Sequence, residues 1–147
     1  MSTTRFKEAQ ERFVGYEKAL EEIRQGEKKS HWIWYIFPQL RGLGRSHNSE
    51  YYGIASLDEA KEYLGDPVLK QRLLEISEAL LEHKGQDIHR IMGGIDAKKL
   101  CSSTTLFEVA GRDDERCKIF SEILDTFYGG KRDEWTLKLL NNRNENN

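Results

Sequence analysis

Few residues in this chain could tie a small fold together covalently or through a metal. Among 147 residues there are two cysteines and two prolines. Cys101 and Cys117 stand far from any Cys-x-x-Cys spacing, and each falls where a helical pattern takes a small apolar residue. They read as reduced core thiols, not as a disulfide or a ligand pair. His-Glu-x-x-His is missing as well, so neither a metal nor a cofactor is expected. No apolar run approaches the roughly 18 residues of a membrane span, and the N-terminus, MSTTRFKEAQERF, has no apolar segment of the signal-peptide kind. The expectation is a cytoplasmic protein with no membrane partner. A net charge of -2 lacks the basic excess that duplex DNA binding draws on.

What is present fits one globular domain. Hydrophobic residues make up 37% and charged residues 33%, and a chain of this length buries roughly two-thirds of its unfolded surface around one core. Residues Thr4 to Gln25 place Phe6, Phe13, Leu20 and Ile23 at helical steps before Gly26, which predicts one long amphipathic helix. Ser56-Leu-Asp-Glu59 is a capping box, with Ser56 accepting from the Glu59 amide and Glu59 reaching back to the Ser56 amide. The helix it opens ends at Gly65. Asp66-Pro67 starts the next, which should bury Val68, Leu69, Leu73, Ile76 and Leu80. Asp87 caps a short turn, Asp96 is placed to cap a helix through Phe107, and Asp113 or Asp114 opens another that Gly129-Gly130 stops. Asp133 begins a last short helix. The fold class is mainly α, a single domain of about six to eight helices over residues 1–140, followed by a disordered polar tail, 141–147.

The informative stretch runs from Lys28 to Asn48. It holds two of the three tryptophans, two of the four histidines and a Gly-x-Gly, but no Asp or Glu, although 25 residues of the chain are acidic. Ser30 can cap a short helix that Pro38 must end, and a short strand fits WIWYIF equally well. From Gln39 to Ala55 the glycines indicate a loop of about 15 residues, a length usually kept for function. Lys29, His31, Arg41, Arg45 and Ser46, with the amides around Gly44 and the helix start at Ser30, make a plausible anion site. Trp32 or Trp34 can stack a base and Gln39 can bond its edge. Each of these aromatics is equally a residue that a core takes. Gly42-Leu43-Gly44 alone lacks the third glycine of a dinucleotide fingerprint.

The second stretch, DAKKLCSSTTLF from Asp96, is polar where a core helix should be apolar. If it faces the first, Asp96 can act as a base or bond a ribose hydroxyl, while Lys98, Ser102 and Ser103 hold phosphate. Asp96, His31, Arg45 and Lys98 should then line one pocket. Its plainer role for Asp96 is an N-cap.

SHWIWYIFPQLRGLGRS, then Tyr52, IASLDEAKEYL, the DPVL helix start, DAKKLCSSTTLF and the closing FYGG resemble, from about Phe6 to Leu140, the family known as domain of unknown function eighteen-ten. The resemblance implies a small, mostly helical protein of a mainly bacterial family, and no settled reaction. Thr104 stands where relatives tend to carry methionine. Some relatives bear the label calpastatin, but calpain inhibitors are disordered repeat chains and this sequence is that of a compact domain. A fold-level similarity to the NAD and ADP-ribose domain superfamily implies, by analogy, ADP-ribose chemistry.

Two functions of different kinds follow. In the first, the chain binds or processes a small nucleotide of the ADP-ribose or NAD type, as a hydrolase of a glycosidic bond if Asp96, His31 or Glu50 does acid-base work. In the second, it is an interaction domain whose basic loop docks an acidic partner. Polar crowding in both acid-poor stretches favours the nucleotide.

Overall fold

The computed structural model describes residues 3–145. Among these residues the chain forms ten α-helices and one 3-10 turn, and its one extended pairing is an isolated parallel bridge between Leu40 and Ile54. The mainly α class holds. The helices outnumber the six to eight expected, because helices form where one unbroken segment and one long loop were anticipated.

The first break lies at Gly15. Helix α1 (Thr4–Arg12) ends at Phe13, and α2 (Tyr16–Arg24) begins after Gly15 in extended conformation. A Cβ on Gly15 would stand 2.6 Å from the carbonyl oxygen of Gln10, so the chain turns too tightly there for any side chain. Phe13, expected on the buried stripe, is 59% exposed as a result. The second break is inside the long loop. Helix α4 (His47–Tyr51) is capped by the Ser46 hydroxyl, which accepts from the Ser49 amide at 3.1 Å.

The aromatic stretch is helical, not extended. Helix α3 (Ile33–Ile36) starts from Trp32 with no side-chain cap, and Phe37 leaves the helical region before Pro38. Ser30 is not its cap, because its hydroxyl donates to Glu22 at 2.6 Å. Helices α5 (Leu57–Gly65) and α6 (Pro67–Leu81) begin as read, with Ser56 accepting from the Glu59 amide and Asp66 from the amides of Val68 and Leu69. Glu59, however, turns away from Ser56. It accepts from the Ala55 amide at 2.9 Å and pairs with the buried Arg5 at 2.9 Å. Val68 is 43% exposed, because its place in the first turn of α6 faces solvent.

Helix α7 (Ile88–Met92) is capped by Asp87. Helix α8 (Gly94–Ala110) starts from Gly93, not from Asp96, which falls inside its first turn. A 3-10 turn (Glu115–Cys117) capped by Asp114 leads into α9 (Lys118–Phe127). Helix α10 (Glu134–Glu145) opens at Asp133 and continues beyond Leu140, where the polar tail was expected to begin; Asn146 and Asn147 lie outside the described residues.

Helix α8 is the centre of the fold, packed against α3, α5, α7, α9 and α10. Its Ser102, Ser103, Thr104 and Thr105 are all buried, which explains why a core helix reads as polar. Short hydroxyl side chains can occupy such places where the nearby backbone pairs with them, as it does for two of the four. Ser102 donates to the carbonyl of Lys98 at 3.2 Å, and Thr105 accepts from the Asp133 amide at 2.9 Å. An aromatic row, Phe6, Tyr63, Phe107 and Phe120, joins α1, α5, α8 and α9 with centroid spacings of 5.2, 5.1 and 6.1 Å. No helix among the described residues is long and apolar enough to cross a membrane.

Candidate binding cleft

Three segments meet at the N-terminal half of α8 around a cleft of about 560 Å³. Gln39, Leu43 and Gly44 come from the loop after α3. Ile95, Ala97, Lys98, Lys99, Cys101 and Ser102 come from α8, with His89 of α7 beside them. Tyr128, Lys131, Asp133 and Trp135 come from the end of α9 and the start of α10. The volume lies within the range of small-molecule sites.

Each wall is fixed by its own local chemistry. The loop is anchored by two backbone bonds, from the Ile54 amide to the Gln39 carbonyl at 2.9 Å and from the Arg41 amide to the Ile54 carbonyl at 2.8 Å. Arg143 of α10 clamps it further, donating to the carbonyls of Arg41 at 2.6 Å and Ala55 at 3.0 Å. Gly44 must lack a side chain, since a Cβ there would stand 2.7 Å from the Cβ of Ser49 and 3.4 Å from Nε2 of Gln39. On the far wall, the Tyr128 hydroxyl donates to the Ala97 carbonyl at 2.6 Å, and burial pushes its pKa upward.

The electrostatics of the lining are one-sided. Lys98 and Lys131 make no side-chain hydrogen bond or ion pair among the described residues, and Lys99 lies 3.9 Å from Asp96 with its ammonium over the Trp34 ring at 5.1 Å. The one carboxylate in the lining, Asp133, is taken up in capping α10 through the Thr136 amide at 3.0 Å and hydroxyl at 2.5 Å. Cys101 is half-buried, and burial raises its thiol pKa, which keeps it protonated. No cluster of three or more His, Cys, Asp or Glu forms among the described residues.

Of the residues singled out in the sequence, Gln39, Gly44, Lys98 and Ser102 line this cleft. Trp34 lies next to it, under Lys99, with Nε1 buried and unpartnered among the described residues. The others lie elsewhere. Trp32 is a fully buried core residue whose Nε1 donates to Glu22 at 3.0 Å, and Lys29 and Ser30 present their amides to the same carboxylate at 2.7 and 2.9 Å. Burial works against the charge on Glu22, yet those bonds and the Ser30 hydroxyl outweigh it and hold its pKa at about 2. Ser103 is buried with its hydroxyl unpartnered among the described residues, and Ser46 caps α4. Arg41 donates to the Glu50 carbonyl at 2.9 Å. His31, Arg45 and Glu50 are exposed and outside the lining. Asp96 pairs with Lys28 at 2.7 Å. Of Asp96, His31, Arg45 and Lys98, only Lys98 lines the cleft.

The sequence reading missed the third wall. Neither Trp135, in the last short helix, nor Lys131, just after Gly129-Gly130, stands out in the two acid-poor stretches, but a tryptophan in the first turn of a helix that follows Gly-Gly-Lys-Arg-Asp is a visible signal, and it is 66% exposed.

No curated protein matches the chain. The crystal structure of the conserved hypothetical protein Rv1873 from Mycobacterium tuberculosis is similar at 43% identity, over 94% of this chain and 95% of that one, with a TM-score of 0.88. A family described as "Protein of unknown function (DUF1810)" matches residues 1–140, and the chain belongs to that family.

Proposed function

We propose that the cleft binds a small phosphate-bearing ligand of nucleotide size, of the ADP-ribose or NAD type. The observation that carries this reading is the charge of the lining: three lysines, two of them with no partner among the described residues, against one carboxylate already engaged in a helix cap. Lys98 and Lys131 are exposed and Lys99 is partly buried against the Trp34 ring, so a phosphate in the cleft meets three ammonium groups converging from two walls. Trp135 and Tyr128 supply flat apolar surface for the rest of such a ligand.

Capture is the form of the proposal that this arrangement supports best. Asp96, His31 and Glu50 lie outside the lining, so glycosidic hydrolysis would fall to Asp133. A second reading rests on the rim, where Ile95 is 76% exposed beside Trp135; such a lip fits a protein partner.

The test is calorimetry and thermal shift of the full chain with ADP-ribose, NAD, AMP and pyrophosphate, repeated on Lys98→Ala and Lys131→Ala. Binding that each variant weakens by about ten-fold or more supports the proposal. Release of free base on incubation would establish the hydrolase form. Absence of binding to all four would turn the assignment to the protein-partner reading.

A further inference from the structure

Gln39 is 8% exposed, and its amide bonds to no described residue and opens onto the cleft. An amide held in a nearly buried residue and open only to a cleft pairs there with water or with a ligand that displaces it. Its position is tightly set. The two bonds to Ile54 fix its backbone, and Gly44 brings the loop against Nε2, where a Cβ would already be at 3.4 Å. The neighbouring polar side chain on the α8 wall, Ser102, is satisfied by the Lys98 carbonyl at 3.2 Å. Gln39 is therefore the uncharged group in the cleft with both a donor and an acceptor to give.

Building on the phosphate-binding reading, we infer that Gln39 selects ligands carrying a hydrogen-bond donor beside an acceptor on a planar group. A primary amide matches that pattern in two parallel hydrogen bonds, and it does so in either orientation of its oxygen and nitrogen. Two sources offer this chemistry, the amino edge of a purine and a carboxamide on a pyridine ring. Phosphate on the lysines supplies attraction without discrimination, and Gln39 supplies the discrimination. A site built to pair such an edge rejects a ligand without it, because the amide is then desolvated and left bare.

The experiment compares four probes on the full chain by calorimetry: AMP, nicotinamide mononucleotide, purine riboside 5'-monophosphate, which lacks the amino group, and pyrophosphate. The expected result is that AMP or nicotinamide mononucleotide binds at least about ten-fold tighter than purine riboside monophosphate, and which of the two does so identifies the source. Gln39→Leu should bring the preferred ligand to within about two-fold of purine riboside monophosphate and leave pyrophosphate affinity unchanged. A preference retained in Gln39→Leu, or no preference in the wild type, overturns the role of Gln39 and leaves the phosphate site standing. Failure of all four probes, pyrophosphate included, overturns the phosphate site and this inference with it. Gln39→Met, of similar length, repeats the comparison should the leucine variant not fold, and the wild-type series decides the point without either variant.

Discussion

Glu22 offers a perturbation whose size can be worked out. Its side chain is 2% exposed and accepts four hydrogen bonds, from the amides of Lys29 and Ser30, the Ser30 hydroxyl and Trp32 Nε1. A carboxyl brought from 4.5 to about 2 in the folded state stabilises that state through its charged form. A depression of this size corresponds to roughly 3 kcal/mol at neutral pH. Because the folded pKa is depressed, this stabilisation is complete above the unfolded value of 4.5 and is lost as pH falls through about 2. The linkage relation removes roughly 2 kcal/mol of it between pH 7 and pH 3. Glu22→Gln keeps the shape and removes the charge; its amide oxygen can take the three N–H donors that Oε1 accepts, while its NH2 group replaces Oε2 in front of the Ser30 hydroxyl. Urea denaturation should therefore show the variant less stable by about 3 kcal/mol at pH 7, with the gap from wild type narrowing steadily toward pH 3. A gap below about 1 kcal/mol at pH 7, or one that does not change with pH, would refute the assignment of Glu22 as the charged anchor of the 29–32 segment.

Two other side chains separate positions that hold the loop from positions that do not. Arg143→Ala removes the donors to the Arg41 and Ala55 carbonyls and should cost about 1–2 kcal/mol, with faster amide exchange confined to residues 41–55; unchanged exchange there would show that α10 does not clamp the loop. Arg45→Ala should leave stability within about 0.5 kcal/mol, since the side chain is exposed and makes no hydrogen bond or ion pair among the described residues. A marked drop in melting temperature would make Arg45 structural.

Much of the fold was legible because capping chemistry is local. Ser56, Asp66, Asp87, Asp114 and Asp133 each accept from amides two or three residues onward, and these starts were read from residue type and spacing alone. Where the reading failed, the deciding contact was distant or depended on shape. Gly15 breaks the first helix because the carbonyl of Gln10 leaves no room for a Cβ, which periodicity does not reveal. Glu59 abandons the capping box for Arg5, a partner 54 residues away. Asp96 has the residue type of an N-cap but follows Gly93 and Gly94, and the left-handed φ of +85° at Gly93 starts the helix earlier. The cleft was half legible for the same reason. Gln39, Gly44, Lys98 and Ser102 stood in the two unusual stretches, whereas Lys131 and Trp135 belong to a third segment whose proximity only the packing of α10 on α8 creates.

The acid-free window from Lys28 to Asn48 shows why a charge pattern along the chain is a weaker guide than charge in space. Its positive character is largely spent within the fold. Lys28 is buried against Asp96 and Trp32, Lys29 and Ser30 turn their amides to Glu22, and Arg41 donates to a backbone carbonyl. Acids are missing from the window because the acids it needs arrive from α2 and α8, and another one inside it would compete for the same donors. The lysines that give the cleft its field come instead from outside the window, each with an acid two residues away, Asp96 before Lys98 and Asp133 after Lys131. They remain free because each neighbouring acid already has a structural task, Asp96 in the pair with Lys28 and Asp133 in the cap of α10. A carboxylate that holds a helix or a buried lysine is no longer a counter-ion for its sequence neighbour, and that reassignment leaves Lys98 and Lys131 available to an anionic ligand.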